Sequence, residues 1–172
     1  MSQSTQRLIR IGTAKSKEQQ AWSEGVSIEK YFKVPIPMLR LRVAAARYGL
    51  AKEMSLAGKL VIQQAKPHYR QAISRYYYSM YHCLRAVVYI HQGGDEHQAH
   101  SELPQRLPDD FPNREIWSNQ LKSAREYRNQ ADYEPYPRSD SYWKSLAGNV
   151  MADAVSLLQI SAAYLRAKGC RV

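Results

Sequence analysis

The chain has 172 residues, the size of one domain, and hydrophobic and charged residues make up 44% and 23% of it. These ordinary globular proportions exclude a collagen-like, a disulfide-stapled and a wholly disordered chain. The formal net charge is +10 at pH 7, and such an excess of Lys and Arg attracts polyanions because it neutralises phosphate charge. We therefore expect contact with nucleic acid or nucleotides; solubility and an acidic protein partner are the alternative uses of the charge.

The cysteines and the apolar segments indicate the cellular compartment. Cys83 and Cys170 are far apart, with no CxxC spacing, which predicts neither a disulfide framework nor a thiolate zinc site. No apolar run approaches the roughly 18 residues of a membrane span, and the N-terminus lacks the apolar core of a secretory signal. We therefore expect a soluble cytoplasmic protein with no membrane contact and no cofactor.

The N-terminal region differs from the rest of the chain. It is polar and basic, with a helical pattern that Gly12 and Gly25 are expected to break, and it ends in VPIP, whose two prolines favour irregular backbone. We predict a basic arm or appendage over residues 1–38 and a helical bundle domain over residues 39–172.

Two long helices are predicted first in that domain. Residues 39–64 are rich in Ala and Leu at helical spacing, with Gly49 and Gly58 as weak points. Residues 67–91 have the clearest periodicity in the chain, and Gly93 can end this helix as a C-terminal cap. The apolar and aromatic positions are Ile73, Tyr76, Tyr77, Met80, Tyr81, Leu84, Val87 and Val88.

Two further helices follow a proline-rich segment at residues 100–112, which predicts a short helix or turn and then a loop. Asn113 can cap a third helix that runs to Pro135, and Ser139 or Asp140 can cap a fourth. No segment predicts a strand. Short connections between long amphipathic helices predict an all-α fold, an antiparallel up-and-down bundle of four long helices plus short helices.

One charged side chain falls on the apolar stripe of the third helix. Arg128 continues the spacing of Trp117, Leu121 and Ala124. A buried guanidinium is costly, so we expect it to be partnered or to line a cleft. Arg125 and Asp132 flank it, but Arg before Asp at a helix C-terminus is the less favourable order. Either a ligand site or a simple Arg128–Asp132 pair, with Arg125 in solvent, fits this pattern.

Two stretches of the chain resemble the HEPN superfamily. They read AISRYYYSMYHCLRAVVY at residues 72–89 and SAREYRNQADYEPY at residues 123–136, with QAHSELPQRL between them. In the small bacterial and archaeal branch, SR-x-YY-(A/S)-M-(F/Y)-H is followed by R-x-x-R-x-x-ADY. The resemblance covers about residues 43–165. It implies a helical bundle that dimerises through the motif-bearing face and serves in toxin–antitoxin or defence systems, frequently with a small nucleotidyltransferase as its partner.

The resemblance also implies catalytic candidates. HEPN ribonucleases carry an Arg, a polar residue and a His four to six positions after the Arg, and two protomers join these groups in a metal-independent site. Arg128 and Asn129 match the first two positions, but QADYEPY follows them and contains no histidine. Asp132 and Tyr133 stand there instead, giving an atypical RNxxD motif. A carboxylate repels a phosphodiester, and a tyrosine with a pKa of about 10 is a poor base at neutral pH.

Supporting residues come from both motifs. The candidates for nucleic-acid binding are Arg125, Arg75, His82 and Tyr78. His82 can approach the third helix, or it can be a hydrogen-bonded histidine in a polar seam. Tyr78 lies off the apolar stripe, so it can meet solvent, a second protomer or a ligand, whereas its tyrosine neighbours fit the core. His91, His97 and His100 lack a helix-spaced ligand pair and predict no metal site; the resemblance gives His100 the role of bracing the turn that follows.

Three functions remain open on this basis. The first is a toxin or defence protein that acts on RNA as a metal-independent endoribonuclease. The second is a non-catalytic HEPN module that binds nucleic acid, a nucleotide or a protein partner such as a nucleotidyltransferase. The third is a structural bundle whose arginines fix a homodimer.

Overall fold

The computed structural model of the chain describes residues 2–96, 99–136 and 138–172. All regular structure in these residues is helical. The elements are α1 (Gln3–Thr13), α2 (Ser16–Phe32), α3 (Ile36–Ile62), α4 (Tyr69–Gln92), a 3₁₀ helix (Leu103–Arg106), α5 (Arg114–Tyr133) and α6 (Asp140–Ala167). The described residues contain no strand, so the all-α prediction is confirmed.

The chain divides into two compact units, Met1–Leu39 and Arg40–Val172. In the first unit, neither α1 nor α2 has a fully buried side chain. The expectation that Gly25 breaks the helical pattern was wrong, since α2 runs through it. A side chain at Gly25 would meet Ile36 Cδ1 at 3.2 Å, so the missing Cβ serves packing. The role of this unit as an arm stays a prediction.

The start of α3 also differs from the expectation of irregular backbone at VPIP. The helix begins at Ile36, with Pro37 in its first turn. Proline is tolerated there because the first N–H groups of a helix have no intrahelical partner to lose.

Consecutive helices of the second unit run antiparallel. Arg47 of α3 pairs with Asp95, just beyond the end of α4. Arg70, at the start of α4, donates to the carbonyl of Ala131 near the end of α5. Short connections join α3 to α4 and α5 to α6. These contacts confirm the predicted up-and-down bundle.

The core of the bundle centres on α4, which packs most extensively against α6 and then α5. Its predicted stripe is buried, including Tyr76, Tyr77 and Tyr81. Burial of each such side chain contributes roughly 1.5–3 kcal/mol. The largest fully buried side chains are Tyr76, Tyr77, Ile73, Met80, Leu84, Leu103, Leu121, Leu157, Leu165, Val87, Val150 and Pro108. Gly93 caps α4 with a φ of 84°, as predicted.

Helix α6 is the one described helix whose length and apolar composition differ from the expectation of no membrane-spanning segment. By length and composition it is long and apolar enough to cross a membrane. The same helix buries Trp143, Leu146, Val150, Leu157 and Leu165 in the bundle. The core helix of a bundle can be as long and as apolar as a membrane-spanning helix, so these two properties alone are weak evidence for a span.

Candidate nucleic-acid site between α4 and α5

The candidate site lies where α4 and α5 pack in opposite directions. The Arg70 guanidinium donates from Nε to the Ala131 carbonyl at 2.7 Å and from Nη2 to the Glu134 carbonyl at 2.8 Å. These carbonyls lie at the end of α5, so the arginine caps them and complements the negative end of the helix dipole. The resulting register brings Tyr78 of α4 opposite Arg128 of α5.

The guanidinium of Arg128 is held on three sides. Nη2 donates to the Tyr78 hydroxyl at 2.8 Å, and Nη1 donates to Asn129 Oδ1 at 3.0 Å. Nε lies 2.8 Å from Asp132 Oδ2, an ion pair whose N–H does not point directly at the oxygen. Only 20% of the arginine side chain is exposed. The expectation that this guanidinium is partnered is therefore confirmed.

The electrostatic surroundings keep Arg128 charged. Burial acts to lower the pKa of its guanidinium, but Tyr78, Asp132 and Tyr133 outweigh burial and raise the pKa. The guanidinium also lies 5.5 Å from the ring centroid of Tyr78 and 5.3 Å from that of Tyr133. Such cation–π contacts add to its stability in place. Tyr133 itself is 70% exposed and can meet a ligand or another protein surface.

Asp132 is engaged by two helices. Its Oδ1 accepts a hydrogen bond from the Ser74 hydroxyl of α4, while Oδ2 pairs with Arg128. With both oxygens engaged, the carboxylate orients the arginine and is poorly placed to move protons. Asp132 also lines a pocket of about 600 Å³ at the end of the bundle, with Lys66 and Trp143.

Arg125 lies one turn before Arg128 and is half-buried, which differs from the alternative that left it in solvent. It lines a recess of about 270 Å³ on the surface of α5, which we call the α5 recess. The recess is formed by His100, Ser101, Lys122, Arg125, Glu126 and Asn129. Asn129 links the two arginines, since it lines the recess and accepts from Arg128.

Two other predicted residues occupy different surroundings. Arg75 is exposed and contacts Met54 Sδ of α3 at 4.0 Å, not the residues around Arg128. His82 is half-buried, with its ring stacked 6.4 Å from that of Tyr78. Burial lowers the pKa of His82, and Arg85 lowers it further. His82 is therefore next to the site through Tyr78, and Arg75 is not.

His100 is a site residue whose full surroundings the sequence analysis missed. Its Nδ1 shares a hydrogen bond with the Tyr77 hydroxyl. Its ring stacks on Tyr81 with centroids 4.2 Å apart and meets the edge of Tyr78 at 6.2 Å. These contacts fit the predicted bracing role. They also place the imidazole in the α5 recess beside Arg125, which no spacing in the sequence indicates.

A second ionic cluster, also missed, lies at the other end of α4. Asp95 accepts from Arg47 Nη2 at 2.7 Å and from Arg85 Nε at 3.0 Å. Arg47 also lies 4.6 Å from the ring centroid of Tyr89. The cluster ties Asp95, which follows the glycine cap of α4, to α3 and to α4. The GGD sequence, Gly93 to Asp95, is the only signal that marks its position.

The part of the chain that contains the candidate site matches a known protein family. A family model described as HEPN domain matches residues 51–163, more than half of the chain. The chain belongs to the HEPN family. A search of curated proteins finds no match. The HEPN segment includes Tyr78, His100, Arg125 and Arg128, and membership of the family indicates a function related to nucleotides or RNA.

The HEPN site combines groups that suit a phosphodiester ligand. It has a fixed guanidinium, a second arginine, exposed aromatic faces and a half-buried imidazole. Among the described residues, no group of three His, Cys, Asp or Glu side chains can hold a metal ion. His97 lies outside the described residues. Chemically, a guanidinium can bind phosphate, an exposed aromatic ring can stack on a base, and an imidazole can transfer a proton.

Proposed function

We propose that this HEPN domain binds single-stranded RNA at Arg128 and the α5 recess, as a homodimeric cytoplasmic protein of the toxin–antitoxin or defence type. One observation carries the proposal: Arg128 is held by Tyr78, Asn129 and Asp132 within one turn of a second half-buried arginine.

The donors of Arg128 support phosphate binding. A guanidinium has five N–H groups. Tyr78 and Asn129 each accept from one of them, on Nη2 and Nη1, while Asp132 forms an ion pair beside Nε. One N–H on each Nη atom is left for a ligand. Two such donors match the paired oxygens of a phosphate, and their fixed orientation lowers the entropy lost on binding.

The surroundings of the arginines favour RNA over an isolated phosphate ion. Lys122 and Arg125 extend the positive charge along α5, and the α5 recess between them is large enough for part of a nucleotide. Tyr133 presents an exposed ring beside Arg128, on which a base can stack. The net charge of +10 adds the long-range attraction that single-stranded nucleic acid requires.

Binding of a fluorescent single-stranded RNA, followed by anisotropy at several salt concentrations, tests the proposal. The wild type should bind with an affinity that falls as salt rises, because counterions are released on binding. Arg128→Ala should weaken binding roughly 10-fold or more, since a charged hydrogen-bonding contact is worth about 1.5–3 kcal/mol.

Lys59→Ala is the matched control, because it removes one positive charge from an exposed position on α3 that belongs neither to the partners of Arg128 nor to the α5 recess. Its effect on binding should be less than twofold. Equal losses of RNA affinity in Lys59→Ala and Arg128→Ala would show that RNA binding depends only on the net charge of the protein. An RNA affinity that changes neither with salt concentration nor in Arg128→Ala would overturn the proposal.

A protein partner is a second candidate function, favoured by an apolar groove between α3 and α6. Leu56, Met151 and Val155 are exposed there, and Lys52 and Lys59 flank them. An exposed apolar patch with a basic rim suits a partner that has an acidic surface. If a neighbouring gene encodes a nucleotidyltransferase, coexpression of the two chains tests the groove. Leu56→Glu should abolish copurification and leave RNA binding intact. Copurification that survives this variant contradicts the groove as the interface.

A further inference from the structure

A histidine outside the arginine-containing motif occupies the site. The HEPN ribonuclease pattern expects its histidine shortly after Arg128 on the same helix, where this chain has none. His100 instead reaches the α5 recess from the loop between α4 and α5. It lines the recess together with Arg125 and Asn129.

We propose that His100 is the proton-transfer group of this site and that Arg125 and Arg128 hold the phosphate of the RNA bond that it cleaves. The inference rests on the proposed RNA binding and extends it to catalysis. The histidine is supplied by a different element from the one that carries it in the family pattern.

The geometry brings the imidazole and the guanidinium to one aromatic ring. Arg128 Nη2 donates to the Tyr78 hydroxyl at 2.8 Å, and the edge of the Tyr78 ring meets the His100 ring at a centroid distance of 6.2 Å. Both groups therefore border the same stretch of surface, which a single nucleotide can span. The stack on Tyr81 at 4.2 Å holds the imidazole at a fixed angle.

One hydrogen bond sets the direction of the imidazole. Nδ1 is occupied by the Tyr77 hydroxyl, so Nε2 is the nitrogen that can act on a ligand. When Nδ1–H donates to the tyrosine oxygen, the lone pair of Nε2 accepts a proton from the ligand. Burial raises the pKa of Tyr77, so its hydroxyl stays neutral and cannot compete as a base. Tyr77 is thus a positioning residue for His100.

The charges around His100 keep it unprotonated near neutral pH. Burial lowers its pKa, and Arg125, Arg128 and Arg85 lower it further. Tyr77, Tyr78 and Tyr81 of α4 face the ring, and the recess also contains Lys122 and Glu126 of α5. Three arginines against one carboxylate disfavour the imidazolium. A neutral imidazole is the form that a general base requires.

The reaction that follows is a transesterification within the RNA. Nε2 of His100 takes the proton of a ribose 2′-hydroxyl while its oxygen forms a bond to the adjacent phosphorus. The bond from phosphorus to O5′ breaks, the electron pair stays on O5′, and O5′ takes the proton back from the imidazolium. Arg125 and Arg128 offset the charge that develops on the phosphate oxygens. The products are a 2′,3′-cyclic phosphate and a 5′-hydroxyl, with no metal and no net change of protons.

Cleavage of a 5′-labelled single-stranded RNA in EDTA, with anisotropy as a separate binding assay, tests this assignment. The wild type should cleave, and a substrate with 2′-deoxyribose at every position should bind and stay intact. His100→Gln should lower the cleavage rate at least about 100-fold, the usual contribution of a general base, and change the RNA Kd less than twofold. His91→Gln, at an exposed position in the last turn of α4, is the matched control and should cleave as the wild type does.

The pH profile separates a base from a merely bracing residue. The wild-type rate should rise with pH through a value below about 6.5, the ordinary histidine pKa, and then level off, because His100 acts when it is neutral. The remaining rate of His100→Gln should lack this step. Tyr77→Phe keeps the buried ring and loses the contact to Nδ1, so kcat should fall while KM stays unchanged. If His100→Gln does not fold, this second variant tests whether His100 is the base.

The two proposals fail in different ways. Wild-type protein that binds RNA and leaves it intact overturns catalysis by His100 and leaves the binding function standing. Equal cleavage by wild type and His100→Gln assigns proton transfer to another group. Absence of RNA binding overturns both.

Discussion

The hydroxyl of Tyr78 accepts a hydrogen bond from Arg128 and so ties α4 to its guanidinium. Tyr78→Phe removes this contact and keeps the ring under the arginine. We expect a loss of about 1 kcal/mol in the free energy of unfolding, and RNA binding weakened roughly fivefold because the guanidinium is less well oriented. Chemical denaturation and RNA anisotropy measure the two effects.

Tyr142→Phe is the control for this change. Its hydroxyl donates to Gln130 Oε1 at 3.2 Å, so the same atom is lost from a similar contact. It should cost a comparable amount of stability and leave RNA affinity unchanged. If both variants weaken RNA binding equally, orientation of Arg128 by Tyr78 is not what matters.

Gly58 of α3 packs so closely against α4 that a single added carbon atom would clash. A Cβ at Gly58 would lie 2.9 Å from the ring of Tyr76, which is fully buried and cannot move aside. Gly58→Ala should therefore destabilise the protein by about 1–3 kcal/mol. Gly49→Ala, in the same helix with nothing within 4 Å, should instead stabilise it by about 0.5–1 kcal/mol. Urea denaturation gives both values, and the same sign for the two variants would contradict the steric argument.

Among the helices and loops, the parts that the sequence predicts well are those set by local periodicity. The stripe of α4, the glycine cap at Gly93 and the serine cap at Ser139 depend on neighbours within a few residues. Asn113 stands at the start of α5 as predicted, but its backbone is left-handed, with a φ of 54°, and its side chain makes no capping bond. Local chemistry predicted the position of that cap and not its geometry.

The parts that the sequence did not predict depend on distant residues. Gly25 lies within α2, where a Cβ would meet Ile36 Cδ1 at 3.2 Å. Arg128 could be recognised because it interrupts an apolar stripe, whereas His100 interrupts no pattern and lies in a loop. Its place beside Arg125 follows from its contacts with Tyr77 and Tyr81 of α4 and from how α4 and α5 pack. No spacing rule joins a loop histidine to an arginine 25 residues further along the chain.

The loop after α4 depends on Asp95. Asp95→Asn keeps the shape and removes the charge that two arginines share, so the free energy of unfolding should fall by roughly 1–3 kcal/mol. Asp109→Asn is the control, since its side chain is 96% exposed and pairs only at the surface with Arg114; it should cost less than about 0.5 kcal/mol.

The pH dependence of this loss has a defined sign. The hydrogen bond from Arg47, together with Arg85, lowers the pKa of Asp95 in the folded state. The stabilisation is therefore complete above the unfolded pKa of about 3.9 and is lost as pH falls through the lower folded pKa. Denaturation curves of wild type and Asp95→Asn should differ by a constant amount near neutral pH and converge below about pH 4. A constant difference down to about pH 2 would contradict the ion cluster.

For the whole molecule, we expect a second copy of the chain to pack beside the site. The proposed homodimer forms through the motif-bearing face, where Tyr133 is 70% exposed beside Arg128 and Tyr136, just beyond the end of α5, is 75% exposed. Exposed tyrosines of this kind commonly anchor protein interfaces, because their rings bury a large area at low entropic cost. Light scattering at micromolar concentration should therefore give twice the chain mass. Tyr133→Glu should give a monomer, since it buries a charge beside Asp132 of the same surface.

Ile116→Glu distinguishes a specific dimer from association of apolar surface. Ile116 is 55% exposed at the opposite end of α5, so the substitution adds the same charge far from the motifs, and the dimer should persist. In the wild type, two copies facing each other through the tyrosines would place two Arg128 side chains along one RNA strand, and RNA affinity should fall with the dimer. A wild-type monomer that binds RNA in an Arg128-dependent way would contradict the need for a second copy. Arg125 and Arg128 of one chain would then be the two arginines that hold the phosphate.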